Sequence, residues 1–196
     1  MTFKIDFPLT NKNIKLGNLN HELIKQAERQ LGSELPPSFK SWLIKYGNGV
    51  QFNIGNCLWI EPLFGDGSVI SSTEFFRNWL KDVIVFASTG VDSETYAFYT
   101  GVKDNKGEYP VIWITPGSID GKGFVLCSTN FENFININVN FLLELNKNDL
   151  TDEDVDKLWI RLYKKYEPSI KMEASDLYRM AITAEELKIK VKLLFS

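Results

Sequence analysis

The 196 residues are 44% hydrophobic and 13% aromatic, enough apolar side chain to fill the core of one domain with an extension. A net charge of -3 gives no broad attraction for nucleic acid or anionic membranes, so neither is expected as a partner, and a charged partner is expected to be basic. Met1 to Asp6 lack a basic region followed by an apolar run, and no stretch approaches a membrane span, so a cytoplasmic chain is expected.

In chain order, Leu19, Leu23, Ile24, Ala27 and Leu31 recur at helical spacing between a capping Asn18 or Asn20 and a closing Gly32. Leu35-Pro36-Pro37-Ser38-Phe39 starts a second helix, with Phe39, Trp42, Leu43 and Tyr46 on one face. Asn48-Gly49 turns into two short strands, Val50 to Ile54 and Cys57 to Ile60. Ser71-Ser72-Thr73-Glu74 has capping-box spacing, and Phe75, Phe76, Trp79 and Leu80 are expected to form one buried stripe behind it. Strands follow at Val83 to Ala87, Tyr96 to Tyr99, Tyr109 to Ile114 and Phe124 to Cys127, with turn-length links that predict an antiparallel meander.

Thr129-Asn130-Phe131-Glu132 is a second capping-box match, but Asn136 to Phe141 alternates polar and apolar with strand period, so helix is only the preferred reading there. Thr151 caps a helix whose first turn carries Asp152, Glu153 and Asp154 and whose apolar face is Val155, Leu158, Trp159, Leu162 and Tyr166. Pro168 interrupts it, and Thr183-Ala184-Glu185-Glu186 opens a last helix. The expectation is an α+β fold: a mainly antiparallel sheet packed with N-terminal helices in residues 1–146, and a helical extension, 147–196, docked on it.

The chemistry of catalysis is hard to find. The single histidine, His21, sits at a helix start beside Glu22, where exposure is the plain reading. Gly65-Asp66-Gly67 lacks the ending of a phosphate-cradling loop, and Gly117 to Gly121 lacks the spacing of a nucleophile elbow. Cys57 and Cys127 lie far apart in apolar segments and read as reduced core residues; no metal or other cofactor is expected. Glu61, Asp66, Asp92, Glu94, Asp104 and Glu108 supply carboxylates with no spacing that forces an acid–base pair. They read as scattered loop charges or as an acidic recognition face.

Three blocks in fixed order resemble the SUKH superfamily: Ile24 to Gly32, Leu35 to Leu43, and Tyr46-Gly47-Asn48-Gly49-Val50. Cys57 to Leu63, Phe86 to Tyr99 and Ser128 to Phe134 are similar to the strand, loop and helix-start segments that follow in that family, so the likeness spans roughly Leu19 to Leu145. The loop Gly90 to Glu94 is poorer in glycine than the family pattern, and the tail after Asn146 lies outside it. The resemblance implies the SUKH fold and a bacterial immunity protein that binds a cognate polymorphic-toxin domain. It brings no catalytic residues, so the chain is not expected to be an enzyme. If the toxin is a nuclease with a basic groove, Asp66, Asp92, Glu94, Asp104 and Glu108 could stand in for phosphates. Two other readings stay open: a regulatory scaffold like the superfamily's fungal members, and a small-ligand or peptide pocket lined by Trp42, Trp59 and Trp113.

Overall fold

The computed structural model describes residues 19–52, 58–89, 94–115, 122–145, 150–173 and 177–195. Two helices come first, α1 (His21–Leu31) and α2 (Pro37–Tyr46). Strands β1 (Val50–Phe52) and β2 (Leu58–Ile60) precede α3 (Val69–Phe76). Then come β3 (Val83–Ser88), β4 (Thr95–Tyr99), β5 (Val111–Ile114) and β6 (Phe124–Ser128). Helices α4 (Phe131–Leu145), α5 (Asp152–Tyr166) and α6 (Ala184–Phe195) complete the chain, with a 3-10 turn at Leu177–Met180 between the last two. The strands form one sheet in the order β1-β2-β3-β4-β5-β6, every neighbouring pair antiparallel. This is the expected α+β meander. Its fifth strand begins at Val111 rather than Tyr109, because Pro110 has no N–H to give the ladder.

Local chemistry sets the helix ends. Asn20 accepts from the Leu23 N–H at 2.9 Å, and Gly32 closes α1 at φ 64°. The capping box of α3 lies one turn earlier than expected: Ser68 is the cap and Ser71, not Glu74, is its reciprocal partner. The buried stripe therefore runs Val69, Thr73, Phe76 and Leu80, while Phe75 and Trp79 are 55% and 51% exposed, contrary to the expectation that both are core. At α4 the cap is Asn130, whose carboxamide accepts from the Asn133 N–H at 2.8 Å, and not Thr129.

The alternating segment 136–141 is helix. Its asparagines are tied one turn back: Asn136 to the Glu132 carbonyl, Asn138 to that of Phe134 and Asn140 to that of Asn136, at 2.7 to 3.0 Å. These bonds satisfy carboxamides that would otherwise pull the backbone out of the helix. Thr151 and Asp154 form the capping box of α5, and Thr183 and Glu186 exchange the same bonds at the start of α6.

Both faces of the sheet are covered. Phe86, Phe98, Val111, Trp113 and Val125 face a cluster with α1, α2 and α4, centred on Phe39, whose ring lies 5.0 to 5.7 Å from those of Phe86, Phe98 and Phe131. Val83, Val85, Ala97, Ile112 and Leu126 face a second cluster with Phe76, Leu158, Trp159, Leu162, Leu187 and Val191. Two-sided burial explains why these antiparallel strands carry nearly continuous apolar runs instead of alternating. The C-terminal helices supply most of the second face, and Ile182 pairs with Phe124 along the outer strand β6. The expected division between residues 146 and 147 lies outside the described residues.

Candidate partner-binding surface

Of the five carboxylates expected to recognise a partner, four lie among the described residues, in different settings. Asp66 is exposed in the turn between Gly65 and Gly67, both at positive φ. Glu94 is half-buried and accepts from the Thr89 hydroxyl at 3.2 Å, closing the β3–β4 connection. Asp92 lies outside the described residues. Asp104 accepts from the N–H groups of Lys106 and Glu108, both at 2.8 Å, and so holds the β4–β5 turn in shape. Glu108 is 4% exposed: its two oxygens accept from the Ser38 N–H at 2.8 Å and the Ser38 hydroxyl at 2.6 Å.

That placement corrects the picture of Glu108 as an exposed loop charge. Pro36 offers α2 no side-chain cap, and Glu108 supplies one from the far side of the chain, with a negative charge at the positive end of the helix. Burial pushes its carboxyl above the usual range, against the pull of the Ser38 bonds. In a meander, successive connections fall at opposite ends of the sheet, which separates Glu94 from Asp104 and Glu108.

The aromatic pocket is not formed either. Trp42 and Trp113 are sealed in the first core cluster, 0% and 1% exposed, whereas Trp59 is 41% exposed on the other face of β2. His21 is exposed in the first turn of α1, and among the described residues no His, Cys, Asp and Glu cluster could hold a metal. Cys127 is buried as a free thiol and burial pushes it up to about 12, so it is a core residue and not a nucleophile; Cys57 is outside the described residues.

What the structure does bring together, where β2 leads into α3, is a seam held by the Glu61–Ser72 hydrogen bond and by the Val69 N–H donating to the Pro62 carbonyl at 2.8 Å. The ladder continues past Ile60, with the Glu61 N–H donating to the Phe86 carbonyl at 2.8 Å, so strand alternation puts Trp59 and Glu61 on the same side. The Glu61 carboxyl is 8% exposed, hydrogen-bonded to the Ser72 side chain, and its Oε2 has no partner. Burial raises it to about 7, with Ser72 pulling the other way. One turn beyond Ser72 stands Phe75, whose ring meets that of Trp79 edge-on at 4.7 Å. Exposed large aromatics on a rigid frame are the side chains that carry most binding energy at protein interfaces.

Helix α3 is held where it presents these rings. The Thr73 hydroxyl accepts from the Val85 N–H at 2.9 Å, and Arg77 donates to the carbonyls of Val83 and Leu31 at 3.2 and 2.9 Å. These bonds cover the part of β3 that β2 leaves unpaired. Sequence reasoning missed the seam because Glu61 read as one more loop carboxylate. The signal was there: a lone acid directly after Leu58-Trp59-Ile60 and before a proline.

The extension is pinned by another carboxylate. Glu167, 2% exposed, accepts at Oε2 from the Ser128 hydroxyl, the Thr129 N–H and hydroxyl, and the Asn133 carboxamide, at 2.8 to 3.0 Å. This cluster fixes the end of α5 to the start of α4 and explains why Thr129 does not cap.

A family model described as SMI1 / KNR4 family (SUKH-1) matches residues 18–137, from the start of α1 through the whole sheet and into α4. No curated protein is similar enough to the chain to be matched. Among the described residues no helix is long and apolar enough to cross a membrane.

Proposed function

As a member of the SMI1 / KNR4 family (SUKH-1), this chain is, we propose, an immunity protein that binds a cognate bacterial toxin domain in the cytoplasm and neutralises it by occupying its active site or substrate path. Family membership is the observation that carries the reading. The exposed Trp59, Phe75 and Trp79 on a frame whose remaining large aromatics are mostly core support it, because they suit binding rather than turnover. No catalytic group is assigned. Exposed Asp66 and half-buried Glu94 remain proposed contacts for a basic toxin surface, contributing mainly to encounter rate, together with Asp92. Asp104 and Glu108 serve the fold first. The 147–196 extension acts here as a covering unit for the sheet.

The test is co-expression of this chain with the toxin domain encoded beside it, scored by cell survival. Survival that depends on the chain supports immunity. Death despite soluble expression of the chain refutes it and turns attention to the regulatory-scaffold reading.

A further inference from the structure

Among the described residues three glutamates are buried, and two of them are saturated with donors: Glu108 by Ser38, and Glu167 by Ser128, Thr129, Asn133 and Ser169. Glu61 is the exception, with Ser72 on the carboxyl and nothing on Oε2. A fold that satisfies two buried carboxylates so fully leaves this one short, two residues after the exposed Trp59 and bonded to Ser72, one helical turn before the exposed Phe75. A buried polar atom without a partner is costly, and such atoms mark places completed by something else.

We propose that the Glu61 carboxyl is the receiving point for a cationic side chain, an arginine or a lysine, that the protein partner lays along the seam between Trp59 and Phe75. The proposal rests on the reading that this chain binds a protein, and adds the chemistry of the contact. A guanidinium or ammonium would supply the missing donor as a charge-assisted bond, stronger than a neutral one and strengthened again by burial. The exposed Trp59 face is suited to carry the stem or plane of such a side chain. Half-buried Ser72 is bonded to the carboxyl, and the incoming cation must share the carboxyl with it or displace it.

Among the described residues the protein's own charges do not fill this role. On α3, Arg77 is committed to the carbonyls of Leu31 and Val83, and Glu74 is exposed. On α1, which packs against α3, Glu28 is bonded to Lys40 and the Leu35 N–H, and Glu22 to Arg29, while Lys25 is exposed. Strands β1, β2 and β3 carry no charged residue, and Asp66 in the following loop is exposed. Because burial holds the empty carboxyl at about 7, taking up a cation must expel a proton near neutrality. Binding through Glu61 therefore strengthens as pH rises.

Two measurements test this, one of which needs no toxin. The carboxyl carbon of Glu61 is followed by NMR through a pH titration of the whole chain, alone and with N-acetyl-arginine methylamide or its uncharged citrulline counterpart. The arginine probe is expected to lower the apparent pKa and shift the Trp59 indole signal, and the citrulline probe to do neither. No effect of arginine, or an equal effect of citrulline, overturns the proposal whether or not the chain is an immunity protein.

Where the neighbouring toxin domain does bind, its affinity is expected to rise roughly tenfold from about pH 6 to about pH 8 in the wild type and to be flat in Glu61→Gln. A toxin that binds with the same pH profile to both proteins leaves the immunity reading standing and removes Glu61 from the contact.

Discussion

Glu61→Gln should stabilise this protein above neutral pH and leave it unchanged in acid. The wild-type carboxyl titrates at about 7 in the fold against 4.5 when unfolded. The folded state therefore holds the proton more tightly, and stability is lost as pH rises from 4.5 through about 7, then stays lost. At about 1.4 kcal/mol per pH unit, the interval from 4.5 to about 7 comes to about 3 kcal/mol. Glutamine keeps the shape and carries no charge, so the variant should gain up to that amount at about pH 8, less what its amide N–H groups lose by lacking acceptors. Urea unfolding of both proteins at about pH 4 and about pH 8 reads the effect as a difference of differences, in which all other titrating groups cancel. A variant that is less stable than wild type at the higher pH, or a gap between the two that does not change with pH, would mean that Glu61 is already ionised and paired, with no donor missing.

Trp42→Ala should cost about 3 to 5 kcal/mol by chemical unfolding, because the indole is 0% exposed and packs against Tyr46, Phe52 and Phe131. Glu108→Ala should cost about 1 to 3 kcal/mol by the same measurement, since it leaves the buried Ser38 N–H and hydroxyl at the start of α2 without their acceptor. A chain ending at Leu145 should be poorly soluble and bind the dye ANS, because removing α5 and α6 uncovers Val83, Val85, Ala97 and Ile112; an equally stable, dye-silent truncate would show that the extension is not what covers the sheet.

Much of this fold was legible because periodicity and punctuation agreed. The Asn20 cap and Gly32 close α1, Pro37 opens α2, and the turn-linked apolar runs from Val83 to Cys127 lie in the order in which the strands pair. Ambiguity arose where two signals competed. In 136–141 the alternation mimicked a strand, and the helix prevailed because each asparagine found a carbonyl one turn back.

The surface was less legible because exposure depends on tertiary neighbours. Phe75 and Trp79 look like core residues in one dimension, yet α3 ends at Phe76 and its stripe passes through Thr73 and Leu80, turning both rings outward. Glu108 and Glu61 are equally anonymous in the sequence. One is a remote helix cap because Ser38 lies beside it, and the other is a half-satisfied carboxyl because only Ser72 reaches it.

The proposed role, holding a toxin domain, is tested by titrating the purified chain into any purified toxin domain encoded beside it. Toxin activity should fall stoichiometrically as a stable complex forms, and replacing Phe75 and Trp79 together by serine should weaken that complex without unfolding the chain. A toxin that remains fully active with excess folded chain, or the absence of any complex by gel filtration and calorimetry, would rule out immunity by binding.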